Sequence, residues 1–132
     1  MYTSLNDANY EVLPGLAKGN VKVWYVKPEY FRHFGFGLKD AASNGYFINP
    51  NDLSKTHILL GEISSSFTME EMYSSLQGEV WSPRGEAHDL IQRLGLSHTS
   101  MSVGDIFETD RDGYQVYVVD NFGFTPLCKT EV

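Results

Sequence analysis

Nine residues, Ser97-His98-Thr99-Ser100-Met101-Ser102-Val103-Gly104-Asp105, bring an imidazole, four hydroxyls and a carboxylate into one short stretch. Nucleophilic catalysis would need a hydroxyl within hydrogen-bond reach of His98 and a third group to orient the ring. Adjacency in sequence does not supply this: in an extended chain Ser100 and Ser102 share the face of His98, while Ser97 and Thr99 point away. The competing reading is a loop whose hydroxyls satisfy backbone amides before a strand opens near Asp105, and it carries more weight because triads assemble from separated segments. No complete catalytic set is present, so no catalytic residue is assigned. If the chain holds a ligand, the candidate pocket joins the 97–105 loop to the 120–124 turn, with His98, Ser100, Ser102, Asp105, Asp120 and Phe122 as its lining.

Two other patterns invite a metal. In "ETDRDG", Glu108, Asp110, Asp112 and Gly113 occupy positions one, three, five and six of an EF-hand loop, but position twelve is Val119 where a bidentate glutamate is required. A solvated turn between two strands explains it better. His33, His57, His88 and His98 show no pair at ligand spacing, and Cys128 has no Cys or His near it in sequence. No metal and no cofactor is expected, since neither a P-loop nor a dinucleotide-type glycine pattern occurs.

The elements that must position these residues are legible from local signals. Val21–Val26, rich in β-branched and aromatic residues and closed by Pro28, predicts a strand inside a sheet. "PEYFRHFGFG" fits either a short helix opened by Pro28 or an extended aromatic segment. Leu38, Ala41 and Ala42 with Gly45 as a stop predict a short helix, "NPND" a turn, and 56–63 a second strand. Thr68 and Glu71 form a capping-box pair, with Met69, Met72, Tyr73 and Leu76 along one stripe and Gly78 as terminator. A further helix is predicted with Ser82 as N-cap and Pro83 at its first position; it carries Ala87, Leu90, Ile91 and Leu94 and stops at Gly95. Asp105–Thr109 and Tyr114–Val119 flank "DRDG" as a hairpin, and "NFGFTPL" gives a last short strand. The prediction is an α+β domain: a small, largely antiparallel sheet packed by two or three short helices, with a C-terminal β-hairpin. It spans 21–132, after an irregular arm at 1–20.

Composition bounds the function. The 132 residues fit one domain, and a 42% hydrophobic content supports a packed core. A formal charge of −7, from 17 acidic and 10 basic side chains, disfavours nucleic acid as a partner. With few cations interleaved, the aromatics Trp24, Tyr25, Tyr30, Phe31, Phe34 and Phe36 are read as core rather than as a base-stacking platform. A single cysteine, no basic-then-apolar leader and no apolar run of spanning length predict a cytoplasmic protein that does not engage a membrane.

The segments "HTSMSVGDIF" at 98–107 and "YVVDNFGF" at 117–124, preceded in order by "VKVWYV", "AASNGYFINP", "ILLGEI" and "TMEEMYSSL", resemble the YodL-like domain family. The likeness runs over about residues 21–127; "QGEVWSPRGEAHDLIQRLGL" and the extra residue in Tyr-Val-Val-Asp depart from the family's pattern. The resemblance implies a setting among accessory proteins of phages, plasmids and conjugative elements, and carries over no activity and no catalytic residues. The expected function is therefore binding of a host or element-encoded protein without catalysis. The alternatives are a small-molecule or nucleotide-binding domain and, last, a small hydrolase using His98 with a hydroxyl or Asp120.

Overall fold

The computed structural model describes residues 21–63, 68–82, 84–85, 87–109 and 116–127. The expectations for the 1–20 arm, Pro83, the "DRDG" turn and Cys128 fall outside them. Strands β1 (Val21–Val26), β2 (His57–Ile63), β3 (Ile106–Glu108), β4 (Val116–Val119) and β5 (Phe124–Leu127) form one sheet in the order β2-β1-β3-β4-β5. Every pairing is antiparallel, and β4 and β5 make the C-terminal hairpin. The architecture is α+β.

Helices cover both faces, which is why the strands carry apolar residues in near-continuous runs rather than in strict alternation. On β1, Val21, Val23 and Tyr25 face a core built with Phe107, Val119 and three helices: α3 (Met69–Ser75), α4 (Gly78–Trp81) and α5 (His88–Arg93). Val26 faces the opposite core with Ile106, Val116 and Val118, closed by α1 (Pro28–Phe34) and α2 (Leu38–Ser43). All four residues of β4 are buried accordingly. The register of β1 on β2 shifts between Val23 and Trp24, where Gly61 and Leu59 are the successive partners and Leu60 is the extra residue. A bulge of this kind bends and twists the strand.

Local chemistry sets the helix ends. Pro28 opens α1, its fixed φ and missing N–H suiting the first helical position. That settles the ambiguous "PEYFRHFGFG" as a helix followed by a turn. It leaves Phe36 70% exposed, unlike Tyr25 and Phe34, which are core. Thr68 and Glu71 form the full capping box on α3: Glu71 N–H donates to the Thr68 hydroxyl and Thr68 N–H to the Glu71 carboxylate. Two boundaries differ from the sequence expectation. Gly78 does not terminate α3 in a left-handed conformation but opens α4, because its N–H is taken by the Ser100 hydroxyl, 22 residues away. Ser82 closes α4 rather than opening the next helix; its hydroxyl accepts from Ala87 N–H, and α5 starts only at His88. The described residues thus hold five α-helices, because the 77–95 segment contains two and the 28–37 segment is helical.

Candidate functional site

The 97–105 loop runs from the end of α5 to β3, and the Asp105 carboxylate at its end turns inward. The Asp105 side chain is completely buried, where three donors meet its carboxylate. Val26 N–H donates to Oδ1 at 2.8 Å, and Ser102 N–H and His98 Nε2 reach Oδ2 at 2.8 and 2.9 Å. Burial pushes the Asp105 carboxyl above its ordinary range, against the downward pull of His98, Val26 and Ser102. The His98 ring stacks on Tyr25 at 4.6 Å between centroids and meets Phe31 edge-on. This is the carboxylate half of a triad. The hydroxyl half is missing among the described residues: His98 Nδ1 is buried without a hydrogen-bond partner.

The hydroxyls of Ser100 and Ser102 and the carbonyls of Thr99 and Met101 are occupied elsewhere. Ser100 Oγ accepts from Gly78 N–H at 2.7 Å, and Ser102 donates to the Ser100 carbonyl. The Thr99 carbonyl accepts from the Tyr25 hydroxyl at 2.7 Å and from Trp81 Nε1 at 3.1 Å. The Met101 carbonyl accepts from Gln77 Nε2, and Met101 itself is core. Burial, with Asp105 close by, holds the Tyr25 phenol well above its usual pKa, so it stays a donor.

His57 is a buried polar residue that the sequence did not flag. Its Nε2 lies 2.8 Å from the Gly104 carbonyl and its Nδ1 2.7 Å from the Thr56 hydroxyl. A carbonyl can only accept, so Nε2 carries the proton and Nδ1 accepts from Thr56. Burial lowers its pKa to about 4; the Gly104 hydrogen bond opposes this, while His98 and Lys27 reinforce it. Gly104, at φ +97°, passes so close to α1 that an added Cβ would stand 2.9 Å from that of Phe34. Its N–H donates to the Val119 carbonyl. Residues 104 and 105 therefore tie together β1, the start of β2, α1 and the end of β4.

The second group of candidate residues lies on the β4–β5 turn, 120–123. Asp120 Oδ1 accepts from Asn121 N–H at 2.9 Å and from Leu38 N–H at 3.2 Å, while Oδ2 accepts from the Thr125 hydroxyl at 2.8 Å. Partial burial would raise its pKa, but these three donors outweigh it and hold the carboxyl below the usual range. Asn121 Nδ2 donates to the Phe36 carbonyl at 2.9 Å. The turn is thereby latched to the α1–α2 loop at both of its first two residues. Gly37, at φ +103°, admits the latch, since a Cβ there would sit 2.4 Å from Asn121 Nδ2. Phe122 at the tip is 98% exposed.

The structure thus divides the six sequence candidates. His98 and Asp105 are in contact, and Ser100 and Ser102 belong to the same loop, bonded to backbone. Asp120 and Phe122 belong to a separate assembly on the hairpin, and Asp120 shares no hydrogen bond with His98. A groove of about 450 Å³ opens beside the hairpin. Glu70, Tyr73 and Ser74 of α3 form one side of it; Asp120, Asn121 and Phe124 of the hairpin another, with Val103 also lining it. Of the 97–105 loop only Val103 takes part, so the groove is framed by the hairpin and α3 rather than by two loops. The contribution of α3 was missed because its Met69/Met72/Tyr73/Leu76 stripe reads as core alone.

Among the described residues, no group of three or more His, Cys, Asp or Glu side chains could hold a metal ion. The "ETDRDG" candidate lies mostly outside them, and Glu108 accepts from Trp24 Nε1 at 3.0 Å. His33 stacks on Tyr46 at 3.6 Å. No helix among the described residues is long and apolar enough to cross a membrane. No protein-family model, curated protein or solved structure matches the chain.

Proposed function

We propose that this chain is a non-enzymatic, cytoplasmic accessory protein of a phage or mobile genetic element, acting by binding a host or element-encoded protein. The setting rests on the resemblance of "HTSMSVGDIF" and "YVVDNFGF" to the YodL-like family. The binding surface is the end of the molecule where the 120–123 turn meets the α1–α2 loop. The observation that carries this reading is Phe122, 98% exposed on a turn whose backbone is fixed by its own side chains, next to Phe36 at 70%. Scattered surface hydrophobics need no explanation. Two phenylalanines on interlocked turns do, because burying each would return about 1.5–3 kcal/mol. Since the turns are already ordered, a partner would gain that energy without first freezing a loop.

The test is site-specific cross-linking in the bacterial host. A photoreactive phenylalanine analogue at position 122 is expected to capture one partner; the same analogue at 59, on edge strand β2 at the opposite side of the sheet, is expected not to. Equal capture from both positions, or none from 122, overturns the reading.

A second reading, a small-molecule or nucleotide site, draws support from the groove, whose volume falls within the range of ligand pockets. A thermal-shift screen over nucleotides tests it: a ligand at 100 times its dissociation constant raises stability by about 2.7 kcal/mol. No shift across the panel removes it.

A further inference from the structure

The groove beside the hairpin has a chemistry that singles out one kind of occupant. Its ionisable carboxylates, Glu70 on α3 and Asp120 on the turn, come from different elements, and no lysine or arginine lines it among the described residues. Neither takes part in an ion pair among the described residues. Two rings also line it, Tyr73 and Phe124, set edge to face at 6.3 Å and 71°. Asn121 adds a polar edge but commits its Nδ2 to Phe36, leaving its carbonyl oxygen as an acceptor. Acceptors and aromatic surface with no cationic donor complement a guanidinium, which is planar, carries only donors and stacks on rings.

We propose that this groove receives an arginine side chain from the partner segment that docks on Phe122. This rests on the protein-binding reading and deepens it: Phe122 supplies the apolar anchor and the groove the charge selectivity. A nucleotide is the poorer occupant, because its phosphates would face two carboxylates, Glu70 and Asp120, with no lysine or arginine beside them among the described residues. The net charge of −7 acts in the same direction, steering a basic segment toward the molecule.

The probe is N-acetyl-arginine amide, titrated against the ¹⁵N-labelled protein, with N-acetyl-citrulline amide as its neutral isostere. Arginine amide is expected to shift the amide signals of Glu70, Tyr73, Ser74, Asn121 and Gly123, and citrulline amide to leave them in place. Glu70→Gln should weaken the affinity about 2- to 5-fold, the range for one solvent-exposed ion pair, and Glu70→Asp should recover part of it. Glu70 is exposed and caps nothing, so this variant is expected to fold. Equal shifts from both amides, or shifts elsewhere only, overturn the proposal. So does a segment cross-linked at 122 with no arginine within a few residues, or a partner whose capture is unchanged in Glu70→Gln, which would make the groove a site for a free small cation. The broader reading fails separately, through absence of cross-linking at 122.

Discussion

The 97–105 loop and the 120–123 turn have similar compositions, each mixing a carboxylate with small polar residues and glycine, yet they use them in opposite ways. In the first, Asp105 is buried under three donors, and the hydroxyls of Ser100 and Ser102 bond to backbone. In the second, Asp120 and Asn121 spend their hydrogen bonds on holding the turn and the neighbouring loop, and an apolar side chain is left in solvent. A stretch dense in chemically capable groups can be largely absorbed by the fold, whereas the turn leaves Phe122 in solvent, and it is there that we place the proposed recognition surface. The buried loop should respond to mutation in stability, and the exposed turn in binding.

The largest effect is expected at Asp105. Asp105→Ala strands the Val26 and Ser102 N–H groups and His98 Nε2 in a buried site, so urea denaturation should show a loss of about 3–5 kcal/mol. A loss below about 1 kcal/mol would place the loop outside the structural network. Second is the acid dependence set by His57. Its folded pKa of about 4 lies below the unfolded 6.5, so the folded state refuses a proton that the unfolded state accepts. Its stabilisation is complete above pH 6.5 and drains away as pH falls toward 4, by about 3 kcal/mol in all. Because Asp105 and the other carboxylates titrate in both proteins, the difference in unfolding free energy between wild type and His57→Gln isolates this term. That difference should shrink between pH 7 and pH 4; a constant one would contradict it.

Gly104→Ala comes third, at about 2–4 kcal/mol, since alanine must take a left-handed φ and press its Cβ against Phe34. Chemical denaturation at neutral pH measures it. The smallest stability effect belongs to Phe122→Ser, expected within about 0.5 kcal/mol of wild type because the side chain touches solvent on nearly all its surface. A larger loss would mean that the turn, too, is structural.

What was legible in the sequence follows from how local each signal is. Val21–Val26 and the Thr68/Glu71 box are recognisable because propensity and capping act within a few residues. Gly78 misleads because its fate depends on Ser100, reached only through the tertiary fold. The burial of His57 depends on Gly104 across 47 residues, and no pattern in "THILLGEI" foretells that contact. The 97–105 stretch could be singled out by composition, but the direction its side chains face is set by Val26, Gly78 and Trp81 on other elements. The α3 side of the groove is not legible for the converse reason: Tyr73 packs partly on the core and also lines an opening that forms only when α3 meets the hairpin.

One measurement bears most directly on the division between the two regions: quantitative capture of the partner by the double variant Phe36→Ser/Phe122→Ser and by Ser100→Ala, each normalised to its folded fraction. The double variant is expected to keep wild-type stability and lose capture, while Ser100→Ala, which leaves Gly78 N–H without its acceptor, loses about 1 kcal/mol of stability and captures normally once folded. Capture retained by the double variant and lost by folded Ser100→Ala would contradict the account, and would move the interaction site to the 97–105 loop.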